Sequence, residues 1–215
     1  SMVIVLDDEA KSAEAPAEKT NWAQLDLNAE IVSADENTFT LDTVAISYDG
    51  EEYSEMLPVM AASDRLLRGK TNRKVWLKYA FEVREKPESL RVECEDMGQT
   101  AVMLNGEKFE LGKGNTFDPA FLTADVLKKV RVGSGHNELV FEIDYTQPQE
   151  VYDVFNGVYY EHSDGTESLI NCLSYRTNIE AVYLRGDFGV HTNGFTPDKR
   201  NTLVAKPEFA VERAQ

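Results

Sequence analysis

A strict two-residue alternation constrains the fold of this chain more than any other feature. Val75, Leu77, Tyr79, Phe81 and Val83 fall on one side of an extended segment, and Trp76, Lys78, Ala80 and Glu82 on the other. Successive side chains of a strand point to opposite faces, so the pattern predicts one face in a core and one turned outward. Leu90, Val92 and Cys94 repeat it. In the run Ala101 to Phe109, Asn105-Gly106 separates two strand-like stretches. A type I′ turn needs φ > 0 at both central residues, which makes this pair a hairpin signal.

Further strands are predicted over 39–48, 138–145, Val151 to Tyr160, Ile179 to Leu184 and 209–213. Residues 61–69 read as a short helix stopped by Gly69, and 122–130 fit either a helical turn or a strand. Turn signals stand at Gly112/Gly114, Gly133-Ser134-Gly135, Asp164-Gly165 and Asn193-Gly194. Many short strands at this spacing predict an all-β sandwich or barrel with one or two short helices.

Ser1-Met2 reads as a tag remnant, and residues 7–21 are acidic, Ala-rich and contain Pro16. The reading is therefore a remnant and mobile acidic arm over 1–21, and a single domain over 22–215 that starts at the alternation of Trp22 to Leu27. With 215 residues, 42% of them hydrophobic, the chain can bury a core without staples. Its 22 basic and 38 acidic residues give a net charge of −16. That charge opposes nucleic acid and anionic membrane surfaces, and no apolar run reaches the ~20 residues of a membrane-spanning helix. A soluble protein is expected.

Two cysteines are too few for a disulfide framework. Cys94 lies on the apolar side of its alternation, so a buried free thiol is favoured over a Cys94–Cys172 bridge. His136, His162 and His191 form no pair at metal-ligand spacing and the cysteines form no Cys-x-x-Cys, so no metal is expected; there is no phosphate loop either, and no other cofactor is expected. An acid/base carboxylate pair needs two carboxyls about 5–10 Å apart, and sequence alone cannot place one. Arg185-Gly186-Asp187 matches an adhesion tripeptide by letter, but a turn with an apolar follow-on is the expected role. Sugar recognition leaves softer traces: aromatic faces for stacking, ringed by hydrogen-bonding side chains. Trp76 is the leading candidate, because its neighbours claim the core. Tyr159 and Tyr160 point to opposite faces, so at most one faces the core and Tyr160 is a second candidate, while Asn115, Asp118, His162 and Asp164 lie in loop-like segments that border such a site.

The order of four segments carries a resemblance. Leu77 to Val83, Val102-Met103-Leu104-Asn105-Gly106-Glu107, Phe121 to Val130 and Gly135-His136-Asn137-Glu138-Leu139-Val140 follow one another as in a known domain. The sequence resembles the sugar-binding jelly-roll domain of family 2 glycoside hydrolases, over roughly residues 40–190. Ile179 to Val190 is similar to a stretch of large bacterial glycosidase-like proteins. The resemblance implies a jelly-roll, galactose-binding-domain-like sandwich. In it Phe121 and Val126 plug the sandwich edge, and Asn137 braces a turn. It implies a fragment of a larger bacterial protein, cytoplasmic or secreted, whose partners are carbohydrate and the other domains of the parent polypeptide.

No catalytic residue carries over. In that family the acid/base and nucleophile lie on a separate (β/α)₈ barrel, which takes about 250 residues. The expectation is a non-catalytic accessory module that binds carbohydrate or buttresses a catalytic domain. A stand-alone jelly-roll enzyme on polysaccharide, and an adhesin or assembly domain, stay open as alternatives. Val151 to Asn178 is longer than a strand connection requires, and is expected to cover a sheet or contact a neighbouring domain.

Overall fold

The computed structural model describes residues 35–114, 118–133, 135–161, 167–192, 195–197, 203–205 and 209–214. The expected arm, the alternation at Trp22, and the turns at Asp164-Gly165 and Asn193-Gly194 lie outside these residues.

The chain begins with β1 (Asn37–Leu41), β2 (Thr43–Ser47), β3 (Leu57–Pro58) and α1 (Val59–Arg68). The sheets are then filled by β4 (Arg73–Val83), β5 (Arg91–Cys94), β6 (Gln99–Leu104), β7 (Glu107–Phe109), β8 (Gly112–Lys113), β9 (Leu122–Asp125) and β10 (His136–Tyr145). After α2 (Gln149–Tyr159) and α3 (Glu167–Ile170) come β11 (Val182–Gly186), β12 (Gly189–Thr192), β13 (Phe195–Pro197), β14 (Leu203–Ala205) and β15 (Phe209–Glu212).

The result is an all-β sandwich. One sheet runs β1-β11-β5-β9-β8, and the other β12-β15-β4-β10-β6-β7 with β2 added beside β4 and β3 beside β2. Strands β13 and β14 pair separately. The predicted alternation of β4 holds residue by residue. Val75, Leu77, Tyr79, Phe81 and Val83 are buried, and Trp76, Lys78, Ala80 and Glu82 are half-buried on the outer face. Antiparallel to it, β10 contributes Leu139, Phe141, Ile143 and Tyr145 to the same core. Val92 and Cys94 of β5 and Val182 and Leu184 of β11 close the core from the other sheet. The Tyr79 and Phe141 rings meet edge to face at 5.7 Å, and the Tyr79 hydroxyl donates to the Glu180 carbonyl at 2.7 Å. One hydroxyl thus ties the centre of one sheet to the approach of β11 in the other.

Asn105 (φ 55) and Gly106 (φ 85) form the predicted turn between β6 and β7. Asn137 is wholly buried. Its side-chain oxygen accepts from the Arg131 N–H at 2.7 Å and from Asn105 Nδ2 at 2.9 Å, while its own Nδ2 donates to the Arg131 carbonyl at 3.1 Å. It braces the loop before β10, as expected. Val126 is buried, and Phe121 stacks on Tyr183 at 5.6 Å. Both cysteines are free, Cys94 buried and Cys172 exposed.

Several boundaries differ from expectation, each for a local reason. The single strand expected over 39–48 is two. The chain leaves one sheet after Leu41 and enters the other at Thr43, and the Asp42 carbonyl between them accepts from the Val59 N–H at 2.9 Å. Residues 122–130 resolve into a four-residue strand and a turn, and β11 starts at Val182 rather than Ile179.

The largest correction concerns Val151 to Tyr160, expected as a strand. It is helix α2, and it buries Val151, Tyr152, Phe155 and Asn156. Those positions recur at three- and four-residue spacing, the period of one helix face, behind Pro148 at the helix start. The β-branched and aromatic composition pointed the other way.

Helix α2 packs on α1 through buried polar groups. Asn156 Nδ2 donates to the Leu67 carbonyl at 3.1 Å, a second donor to an acceptor in the last turn of α1 that the Lys70 N–H also reaches, at 3.0 Å. The Tyr152 hydroxyl donates to the Thr71 carbonyl, and the Gln147 N–H donates to that hydroxyl at 3.1 Å.

Candidate functional site

The site begins with a tight loop after β2. Ser47 Oγ donates to Asp49 Oδ1 at 2.9 Å and accepts from the Gly50 N–H at 2.9 Å. Asp49 Oδ1 also accepts from the N–H groups of Glu51 and Glu52 at 2.8 and 2.9 Å. These bonds hold the Asp49 carboxyl below the usual carboxylate range, the two backbone donors contributing most. The loop closes by a bridge from Tyr53 back to Ser47.

The fold of this loop lays it against the outer face of β4. A Cβ built on Gly50 would stand 3.2 Å from the Trp76 indole, so the backbone there packs directly on the ring. Tyr53 comes to lie beneath Lys78, whose Nζ is 4.1 Å from the ring centroid. The same ammonium donates to Glu138 at 3.1 Å, one strand over on β10. Burial, followed by the charges of Glu138 and Asp49, pushes the Tyr53 hydroxyl pKa up.

Trp76, Tyr53, Lys78, Glu138, Val140 and Met103 surround a cleft of about 370 Å³, with Gly106 of the predicted hairpin at its border. It offers an indole, a second ring already polarised by a cation, a carboxylate and an ammonium. These are the groups that stack against a sugar face and hydrogen-bond its hydroxyls. Its volume lies within the usual range for small-molecule sites.

Of the residues singled out from sequence, the three that are described, Trp76, Asp118 and Tyr160, lie apart. Trp76 lines this cleft. Tyr160 lies in a different one, between α1 and α2, where its hydroxyl donates to Asp64 at 2.6 Å and Arg68 covers its ring at 4.4 Å. Asp118 caps a turn, its Oδ1 accepting from the Ala120 N–H at 2.8 Å. Asn115, His162 and Asp164 lie outside the described residues. Tyr53, Lys78 and Glu138 were missed. Lys78 was legible, since it shares the outer face of β4 with Trp76 at two-residue spacing. Tyr53 was not, because only the Ser47–Asp49 loop brings it back.

The remaining candidates have structural partners. A third cleft, of about 590 Å³, lies by Phe39, Phe81 and Phe209 and holds His136 and His191. Each imidazole faces a carboxylate: His136 stands 3.5 Å from Glu82, and His191 3.8 Å from Glu212. Arg185, next to last in β11, is engaged by Glu93 at 3.5 Å and Glu36 at 3.7 Å. Glu93, only 2% exposed, also accepts from Arg91 at 2.8 Å. The adhesion-like tripeptide thus places its arginine in an ion network on the outer face of the five-stranded sheet.

Among the described residues, no group of three or more His, Cys, Asp or Glu side chains is placed to hold a metal ion. No helix among them is long and apolar enough to cross a membrane.

No protein-family model matches the sequence, and no curated protein aligns with it. Among solved structures, the chain is similar to β-glucuronidases of Ruminococcus gnavus. A complex with N1-substituted uronic isofagomine aligns with a TM-score of 0.43 at 14% identity, over 84% of this chain and 36% of that one. The enzyme's own structure gives 0.41 at 13%, over 84% and 34%, and its apo form 0.43 at 13%, over 84% and 35%. The chain therefore spans little more than a third of the length of these enzymes.

Proposed function

We propose that this chain is a non-catalytic β-sandwich module of a larger glycoside hydrolase, and that it binds carbohydrate at the Trp76 cleft. The observation that carries the reading is Trp76 itself. Its strand neighbours fill the core while it stays half-buried on the outer face, beside Tyr53, Lys78 and Glu138. A pyranose would lay its C–H face on the aromatic surface and direct hydroxyls to the ammonium and carboxylate. Recognition by stacking and hydrogen bonding needs no covalent step. As part of a longer polypeptide, the module would also brace its neighbouring domains. The resemblance of the Leu77–Val83, Asn105-Gly106 and Gly135–Val140 segments to family 2 jelly rolls supports the same reading.

The test is a glycan array followed by titration calorimetry. Trp22 and Trp76 are the only two tryptophans, so Trp22→Phe leaves Trp76 as the single indole fluorophore. Binding should change its emission, and Trp76→Ala should weaken affinity at least about tenfold. No glycan bound at millimolar concentration, or binding untouched by Trp76→Ala, refutes carbohydrate recognition at this cleft.

A further inference from the structure

The cleft between α1 and α2 takes no part in that reading. Its volume is about 560 Å³. Phe155, Tyr159 and Tyr160 form a cluster of three rings, with centroids 5.1, 6.1 and 6.5 Å apart. Tyr175 extends the aromatic wall, and Tyr159 is 47% exposed. The charged residues that line it are both acidic, Asp64 and Glu180. Burial, reinforced by the nearby charge of Glu95, pushes the Glu180 carboxyl pKa up. A positive charge already rests on one of these rings: the Arg68 guanidinium lies 4.4 Å from the centroid of Tyr160.

These features select a ligand class. Ring faces are electron-rich and attract cations, most strongly where water is excluded. Two carboxylates favour positive charge and repel anions. The mostly apolar wall suits carbon substituents and does not replace the hydration shell of a bare metal ion. The geometry points to the α1–α2 cleft as a second binding site, for an organic cation: an ammonium group carrying aryl or alkyl substituents.

The test is a two-dimensional amide NMR titration of the whole chain with benzyltrimethylammonium chloride, and with benzyl alcohol and benzoate as neutral and anionic counterparts. The cation should give saturable shifts at α1, α2 and residues 175–180, with benzyl alcohol and benzoate at least about fivefold weaker. Tyr159→Ala, at an exposed side chain, and Glu180→Gln should each weaken the cation about three- to tenfold, with amide shifts elsewhere unchanged. Four results overturn the assignment: equal or tighter binding of benzyl alcohol or benzoate, saturable shifts only outside the cleft, indifference to both substitutions, or no saturation up to about 50 mM.

Discussion

Asn137→Ala removes a side chain that makes three hydrogen bonds from a wholly buried position. The Arg131 N–H and carbonyl lose their partner together, while Asn105 Nδ2 keeps a second acceptor, the Lys129 carbonyl at 3.1 Å. A buried polar group left unsatisfied costs about 1–3 kcal/mol. The Arg131 backbone is only partly shielded, which lowers the two penalties, and truncation adds a small cavity. The expected total is about 2–4 kcal/mol. With a urea m-value of about 2 kcal/mol/M, the midpoint should fall by about 1–2 M.

Asn137→Asp sharpens the test. It keeps the acceptor for Arg131 N–H but turns a second oxygen toward the Arg131 carbonyl. The introduced carboxyl is buried against that acceptor, so its folded-state pKa is raised above the unfolded value. Ionisation at neutral pH then opposes folding, and the loss should shrink as pH falls through the raised pKa. Equilibrium urea unfolding followed by circular dichroism, at neutral and acidic pH, reads both variants. A midpoint for Asn137→Ala within about 0.3 M of the parent would refute the bracing role.

Two further outcomes follow from close packing. At Gly186, a Cβ would meet the Ser89 carbonyl oxygen at 2.3 Å. Gly186→Ala must therefore push β11 away from the chain before β5, at about 1–3 kcal/mol or more, read as a lower thermal midpoint. The Cys94 thiol is pushed up to about 12, chiefly by burial, and stays protonated at pH 8. A thiol reagent at that pH should label Cys172 alone in the native protein and both cysteines after unfolding. Rapid native labelling of Cys94, seen in peptide mass spectra, would contradict its burial.

The parts of the fold legible in the sequence are those set by local periodicity and turn chemistry. The alternation in β4 and β10 fixes which face is buried, whatever the partner strands. Asn105-Gly106 fixes its turn because few other pairs accept two positive φ angles. Helix α2 was illegible for the converse reason. Val151, Tyr152, Val154, Phe155 and Val158 suit a strand by composition, and only the spacing of the buried set reveals the helix. The candidate site divides the same way. Trp76 and Lys78 follow from one strand's alternation. Tyr53 depends on a side-chain-locked loop, and Glu138 on the register of β10 against β4.

The strand order also sets a timetable for folding. The β4–β10 and β6–β7 pairings lie within the middle of the chain and can assemble as soon as that stretch exists. Among the described residues β1, by contrast, pairs only with β11, joining Asn37 to Gly186, and β15 lies parallel to β4 with Val211 opposite Val83. Closing such long loops is entropically slow and raises the contact order. During synthesis, Phe39 and Leu41 emerge early and wait for a partner encoded nearly at the other end of the described chain. That interval exposes apolar side chains and an open strand edge, the two features that favour aggregation of an incomplete sheet.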